Sequence, residues 1–183
     1  IPLLTLFFGL RSSPFNYTLS MIGNWLGYFN FFIIWGIITS LFLVIAIYNI
    51  YRKFNFKNKR AIISLSFSSI FLILTVVTPM IPQEIITEEL KRIFIFDFHF
   101  LFAFTFSFFL VLSLYLFSKY LSLVNHKLSL RSFRWLLITV GGSLIVLIIF
   151  GKNAMFQLFF FISLSIFLFI LHFTKNINVE NKK

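Results

Sequence analysis

Long runs of apolar residues alternate with short polar segments along the whole chain, and most of these runs have the length of a membrane-spanning helix. About 20 apolar residues are needed to cross a hydrocarbon core about 30 Å thick. The pattern predicts an all-α, polytopic transmembrane helical bundle with about six spans in a single integral membrane domain, residues 1–183. The predicted spans are residues 1–10 (partial), 26–51, 61–82, 97–118, 135–150 and 154–173.

Four segments depart from this simple alternation. Residues 1–10 are too short to span a bilayer, and we interpret them as the end of a first span that is cut short at its N-terminus. Residues 83–96 place apolar side chains at helical spacing among charged ones, which predicts a short helix lying at the membrane interface. Residues 11–25 and 119–134 are predicted to be polar connections.

Composition supports the membrane interpretation. The chain is 60% hydrophobic and 11% charged, whereas soluble domains average about 25% charged residues. The net charge of +11 lies mostly in short loops between spans, so it indicates contact with anionic headgroups rather than with nucleic acid. The absence of cysteine excludes disulfides, thiol catalysis and Cys-ligated metals. The abundance of Phe, Ile, Leu, Lys and Asn is typical of an AT-rich genome.

The distribution of Lys and Arg predicts the orientation of the protein. If the loop 52–60 is cytoplasmic, its side collects five cations from that loop, four from residues 119–134 and three from the C-terminal tail, against four on the opposite side. The positive-inside rule therefore places both basic segments and both termini in the cytoplasm. We expect a bacterial plasma membrane, with the mitochondrial inner membrane as the alternative.

Candidate chemistry lies on the outer side, where Asp97 and His99 are the ionisable residues closest to a span. Charge at membrane depth is costly and points to function, although a carboxylate that begins a helix also serves as an N-cap. His99, Ala103 and Ser107 form a polar stripe at helical spacing that should face the bundle interior. A histidine bonded to a neighbouring helix explains the stripe, as does a histidine that handles protons or binds a ligand.

Two further polar residues can reach this region. Ser20 and Asn24 lie one helical turn apart and can meet His99, although ordinary loop capping explains them equally well. The other histidines, His126 and His172, belong to the opposite side, so we predict no metal site and no cofactor. The sequence also lacks a phosphate-binding glycine loop and a nucleophile elbow.

Small residues mark the predicted helix-packing faces. Gly36 and Ser40 are four residues apart in the second predicted span, which permits the close approach of another helix. Gly141 and Gly142 occupy the middle of the fifth span, where they either pack a neighbour tightly or bend the helix. A partner subunit that docks on either face is one interpretation of these positions.

A short polar motif precedes the second span. Residues 14–24 read PFNYTLSMIGN, residues 29–31 read FNF, and a histidine opens a later span. This arrangement resembles the DUF998 membrane proteins, which are related in layout to Frag1/DRAM-type proteins. The resemblance implies about six spans, and it implies a fold rather than an activity. The motif positions that it assigns are Asn16, Ser20, Gly23, Asn30 and His99.

We therefore predict a non-enzymatic membrane component that binds a lipid or a partner subunit in an outer-facing polar pocket. The main alternative is an intramembrane lipid hydrolase or transferase that uses His99 and Asp97 with an outer serine or a metal-bound water. Further alternatives are a permease or channel component and a hydrophobic subunit of a larger membrane complex, including an organellar respiratory one. The residues expected to line the pocket are Ser20, Asn24, Asn30, Asp97 and His99.

Overall fold

The structure, a computed structural model, describes residues 1–80 and 98–174. These residues form an all-helical bundle, and no strand occurs within them. Five of the helices in these two ranges, α3 to α7, are long and apolar enough to cross a membrane. The predicted fold class, an all-α polytopic bundle, is confirmed. The helices are α1 (Pro2–Gly9), α2 (Leu19–Trp25), α3 (Phe29–Lys53), α4 (Lys59–Val77), α5 (Phe98–Val124), α6 (His126–Phe150) and α7 (Ala154–Phe173).

Local chemistry determines where α3 and α4 end. The turn between them contains Asn55 at a φ of 53°, a left-handed conformation that asparagine adopts more readily than most residues. The side chain of Asn58 accepts two backbone N–H groups of the first turn of α4 and caps it. Helix α4 ends at Val77, because the ring of Pro79 disfavours a helical residue directly before it.

The segments predicted as polar connections are more helical than expected. Within residues 119–134, α5 continues to Val124 and α6 begins at His126, so only Asn125 separates the two helices. The Asn125 side chain accepts the first-turn N–H of Leu128 at 3.0 Å and caps α6. A helix satisfies its own backbone hydrogen bonds and long basic side chains extend to water, so cations do not force a loop. The connection 11–25 likewise contains α2.

The long helices pack side by side in chain order, and α7 packs against α3 as well as against α6. Helix α1 packs on α3 and α7, and α2 packs on α3. Because residues 54–58, Asn125 and residues 151–153 form short connections, consecutive helices run antiparallel. Residues 54–58 and Asn125 lie at what we call the basic end. Helix α2, residues 78–80 and residues 151–153 lie at the other end, which we call the α2 end.

The predicted packing residues contact other helices of the same chain. A Cβ added to Gly36 would overlap the side chain of Val76 on α4. Ser40 Oγ lies 2.6 Å from Ser69 Oγ, also on α4. The face that carries Gly36 and Ser40 is therefore used inside the bundle, where it joins α3 to α4.

Gly141 and Gly142 of α6 differ in what surrounds them. A Cβ on Gly142 would lie 2.5 Å from Cε1 of Phe159 on α7, so Gly142 permits close packing of α6 on α7. A Cβ on Gly141 would meet only Leu137 of its own helix, at 3.9 Å. Of the two explanations for this pair, tight packing applies at Gly142.

Candidate functional site

A cavity of about 680 Å³ occupies the half of the bundle next to the α2 end. Its volume falls within the range of about 300–1,000 Å³ that is usual for small-molecule sites. Along α5 it extends from His99 to Val111, which is about 18 Å of helix. That length is slightly more than half of a hydrocarbon core about 30 Å thick, so the cavity has the depth of one membrane leaflet.

The walls of the cavity are apolar. They come from α5 on one side and from α6 and α7 on the other, with α3 and α4 behind. The hydroxyl groups of Ser107 and Ser143 also line the cavity, but each donates to a carbonyl of its own helix, at 3.0 Å and 2.6 Å. The larger apolar side chains of the lining include Trp35, Phe104, Phe106, Val140, Leu144 and Phe161.

The side of the cavity between α5 and α6 is open. Phe100, Phe104 and Phe108 lie one turn apart on α5, and each is more than half exposed although it lines the cavity. Leu144 on α6 is 53% exposed and lines the same space. These residues lie within candidate membrane spans. Their exposure indicates a lateral opening toward the region that lipid acyl chains occupy.

Most of the strongly polar side chains of the lining gather at the α2 end. Those at the α2 end are Thr18, Ser20, His99, Lys152 and Gln157. The cavity therefore has a long apolar part and a short polar part, and the polar part lies where the bundle would meet the membrane surface.

Ser20 and His99 form a hydrogen-bonded pair in the polar part. His99 is 4% exposed, its Nε2 lies 2.7 Å from Ser20 Oγ, and its Nδ1 lies 2.9 Å from the carbonyl oxygen of Thr78. A carbonyl oxygen only accepts, so a neutral imidazole carries its proton on Nδ1 and donates it to Thr78. Nε2 is then the acceptor for the hydroxyl of Ser20. This pairing links α2, the end of α4 and the start of α5.

Capping interactions hold α2 in this position. The Thr18 side chain accepts the N–H of Met21 at 3.1 Å and caps the helix. The N–H of Leu19, which has no partner within its own helix, donates to Gln157 Oε1 on α7 at 2.8 Å. The position of Ser20, the next residue, is therefore set by contacts with both α2 and α7.

Asn24 ties α2 to the chain that follows α4. Its Nδ2 donates to the carbonyl oxygen of Ser20 at 2.9 Å, and its Oδ1 accepts the N–H of Met80 at 3.1 Å. The indole N–H of Trp25 donates to the carbonyl oxygen of Met80 at 3.1 Å. Asn24 therefore positions Ser20 and Met80 through backbone contacts.

Lys152 lines the cavity from a well-defined turn between α6 and α7. Gly151 ends α6 at a φ of 76°, which glycine adopts without strain. Asn153 caps α7 by accepting the N–H of Met155 at 3.0 Å, and the N–H of Ala154 donates to the carbonyl oxygen of Tyr17 at 2.7 Å. The backbone on both sides of Lys152 is therefore fixed.

The charge around Lys152 is uniformly positive in the described part of the chain. All five acidic residues lie in residues 81–97 and 175–183. Residues 1–80 and 98–174 therefore contain no carboxylate side chain and give Lys152 no ion pair. Its Nζ lies 5.3 Å from the ring centroid of Phe100, an attractive cation–π distance.

The structure brings some of the predicted site residues together and separates others. Ser20 and His99 meet in the cavity, and Asn24 supports Ser20 from behind. Asn30 is exposed in the first turn of α3 and is not among the described residues that line the cavity. Asp97 lies outside the described residues, as does the predicted interfacial helix at 83–96.

The polar stripe of α5 faces the bundle interior, as predicted. His99, Ala103 and Ser107 all line the cavity. The prediction missed Lys152 and Gln157. Gln157 carried a usable signal, because it is the only glutamine inside a predicted span and a buried amide needs hydrogen-bond partners. The sequence pattern indicates only a loop cation at Lys152.

Within residues 1–80 and 98–174, no three His, Cys, Asp or Glu side chains are grouped so that they could hold a metal ion. The comparisons with family models, curated proteins and solved structures find no match for the chain.

Proposed function

We propose that this chain is a multi-pass membrane protein that binds a membrane lipid in the cavity and catalyses no reaction on it. The observation that carries the proposal is the shape and polarity of the cavity, which has mainly apolar walls over the depth of one leaflet and most of its strongly polar side chains at the α2 end. A lipid has the same division between an acyl chain and a headgroup. The lateral opening beside Phe104 supplies the route from the bilayer.

The affinity of such a site would come mainly from its polar part. Acyl chains in the bilayer are already in an apolar medium, so moving one into an apolar cavity gains little from the hydrophobic effect. Packing against Trp35 and Phe161 would hold the chain, and Lys152 and Gln157 would hold the headgroup. The proposal therefore predicts a selective site with an exchangeable lipid.

We also propose that the α2 end faces away from the cytoplasm. In the described residues, nine Lys and Arg lie in the segments 52–60 and 119–134 at the basic end, and Arg11 and Lys152 lie at the α2 end. This asymmetry supports a cytoplasmic basic end by the positive-inside rule. A bacterial plasma membrane and membership of the DUF998 family remain predictions from the sequence.

The test is to measure which lipids stay bound when the cavity is filled. The protein would be purified in nanodiscs and then examined by native mass spectrometry after mild removal of the surrounding lipid. We expect one retained lipid on the wild type, and none on Ala103→Phe, whose ring would occupy the cavity. The matched control is Leu101→Phe, at an exposed position of the same helix that is not among the lining residues. Equal retention by Ala103→Phe and Leu101→Phe would overturn the proposal.

A second candidate function is acyl transfer from the bound lipid. The observation in its favour is the Ser20–His99 pair, because a hydroxyl that donates to an imidazole nitrogen is the arrangement of an activated serine nucleophile. In this reaction Ser20 Oγ would attack the ester carbonyl while His99 Nε2 takes its proton. The same proton would then pass to the leaving alcohol, and water would release the acid from the acyl-serine.

An alkyl fluorophosphonate distinguishes the two functions, since it labels only serines that are activated in this way. Under the favoured function the wild type is not labelled. Under acyl transfer the wild type is labelled, Ser20→Ala is not, and His99→Gln reacts at least about 100-fold more slowly because the general base is gone. Ser107→Ala is the control, since this serine lines the cavity but bonds to its own helix.

A further inference from the structure

We infer that the cavity selects lipids with an anionic phosphate headgroup, and that Lys152 and Gln157 contact that headgroup. The inference rests on the proposed lipid binding and extends it to the class of ligand. Its basis is the set of hydrogen-bond donors and charges in the polar part of the cavity.

The first step is the position of Lys152. The turn is fixed on both sides by Gly151 and Asn153, and Lys152 is part of the lining. The ammonium group lies 5.3 Å from the centroid of the Phe100 ring, beside the lateral opening. A lipid whose chain enters beside Phe104 would therefore bring its headgroup to the level of Lys152.

The second step is the balance of donors and acceptors. Gln157 Oε1 already accepts the N–H of Leu19, which leaves the NH₂ group of this amide for a ligand. The hydroxyl of Ser20 is directed to His99. Lys152 adds three N–H donors and a positive charge. The polar part thus offers mainly donors, and phosphate oxygens are strong acceptors that carry the opposite charge.

The third step concerns the charge of the described residues, since Asp97 and the other acidic residues of the segment 81–97 lie outside them. No carboxylate side chain occurs in residues 1–80 and 98–174, so within them the charge of Lys152 is not neutralised. A zwitterionic lipid brings a choline cation as well as a phosphate, and Lys152 repels that cation. A lipid with a net negative headgroup and no cationic group is not repelled by Lys152 in this way.

Arg11 provides the internal control, because within residues 1–80 and 98–174 it is the other cation at the α2 end. Its guanidinium lies over the rings of Phe7, Tyr28 and Phe31, with centroid distances of 4.3, 5.8 and 5.6 Å. These rings belong to α1, to the residue before α3 and to α3, and none of them is among the described cavity residues. Arg11 therefore matches Lys152 in charge and in level but not in contact with the cavity.

The experiment uses nanodiscs made of equal parts phosphatidylglycerol and phosphatidylcholine with identical acyl chains. The ratio of the two lipids retained by each variant is measured by native mass spectrometry, and the amount retained by Ala103→Phe is subtracted as lipid outside the cavity. We expect the wild type to enrich phosphatidylglycerol about fivefold, the effect of one cation near a membrane surface. Lys152→Gln should bind one lipid without enrichment, and Arg11→Gln should keep the enrichment.

Each outcome decides between the inference and the proposed function. If the wild type retains a lipid but does not enrich phosphatidylglycerol, or if Lys152→Gln enriches it as the wild type does, the inference is wrong and the lipid site stands. If the wild type retains no more lipid than Ala103→Phe, both are wrong. If inorganic phosphate abolishes the enrichment and chloride at equal ionic strength does not, the site binds free phosphate and the assignment to a lipid fails.

Discussion

At the basic end, polar and aromatic side chains close the bundle, whereas at the α2 end the same kinds of side chain surround a cavity. The Tyr51 hydroxyl lies 2.7 Å from Ser113 Oγ, and the hydroxyl of Ser113 donates to the carbonyl oxygen of Ala61 at 2.7 Å. Ser118 and Ser132 meet at 2.6 Å between their Oγ atoms. These bonds join α3, α4, α5 and α6 to one another.

The aromatic residues differ in the same way. At the basic end, Phe117 is fully buried, with its ring centroid 5.1 to 5.7 Å from those of Tyr51, Phe54 and Phe56. At the α2 end, Phe104 is 62% exposed on the same helix. The comparison indicates a division of labour, by which we mean that the basic end stabilises the packing of the helices and the α2 end can bind a ligand.

The largest expected effect comes from removing one aromatic ring at each end. Phe117→Ala should lower the free energy of unfolding by about 3–5 kcal/mol, because its neighbours lose a buried packing partner. Phe104→Ala should lower it by less than about 1 kcal/mol, since most of that ring is exposed. Unfolding in detergent micelles with increasing dodecyl sulfate, followed by circular dichroism, measures both values.

Phe117→Leu keeps this comparison usable if the alanine variant does not fold, because it should show an intermediate loss. Equal losses for Phe104→Ala and Phe117→Ala would mean that the two ends contribute alike to stability, and the division of labour would then be wrong.

The second effect concerns close approach between helices. Gly36→Ala should cost about 1–3 kcal/mol, because the new methyl group would overlap the stiff, fully buried side chain of Val76. Gly141→Ala should be neutral or stabilising by up to about 1 kcal/mol, since its methyl group meets only ordinary contact and alanine favours a helix. The same unfolding assay applies. A loss at Gly141 as large as that at Gly36 would show that helix flexibility, rather than contact, determines these positions.

The third effect tests the hydrogen bonds of the basic end. Tyr51→Phe removes a hydroxyl that joins α3 to α5 and should cost about 0.6–2 kcal/mol. Ser107→Ala removes a hydroxyl that bonds only within α5, so its cost should be near zero. A double-mutant cycle of Tyr51→Phe with Ser113→Ala measures the coupling between the two hydroxyl groups, and additive losses would contradict a bond between them. The bond from Tyr51 to the backbone carbonyl oxygen of Ser113, at 3.0 Å, is not removed by Ser113→Ala. Lipid retention should be unchanged in Tyr51→Phe.

The sequence predicted those parts of the fold that depend on local patterns. The last helix, Ala154–Phe173, has the bounds of the predicted span 154–173, because a Gly-Lys-Asn turn marks its start. The positions of α5 and α6 around Asn125 were missed. A cluster of cations is typical of a loop, but a capped helix carries cations equally well.

The candidate site was predictable in its topology but not in its shape. The placement of Ser20 and His99 on one side of the membrane follows from counting spans, and the structure brings them together. The cavity exists because the start of α5 is separated from α6 and α7. This separation depends on the sizes of many side chains on helices that are distant in sequence, so no local pattern predicts it. Gln157 lines the cavity from α7 and accepts the N–H of Leu19, 138 residues away in the sequence, which is a contact that no local pattern predicts.

The smallest expected effect compares one lysine from each end. Lys53 Nζ donates to the carbonyl oxygen of His172 in the last turn of α7, where a cation also interacts favourably with the helix dipole. Lys53→Gln should therefore lower the free energy of unfolding by about 0.3–1 kcal/mol. Lys152 makes no such bond within the described residues, and Lys152→Gln should change stability by less than about 0.5 kcal/mol.

The two variants should show opposite results in the unfolding assay and in the lipid-retention assay. Lys53→Gln should lose stability and keep the lipid preference of the wild type, and Lys152→Gln should keep stability and lose that preference. A loss of stability in Lys152→Gln equal to that in Lys53→Gln would make Lys152 a structural residue of the α6–α7 turn. Retained stability together with a lost preference would separate the ligand-binding end from the structural end at the level of a single charge.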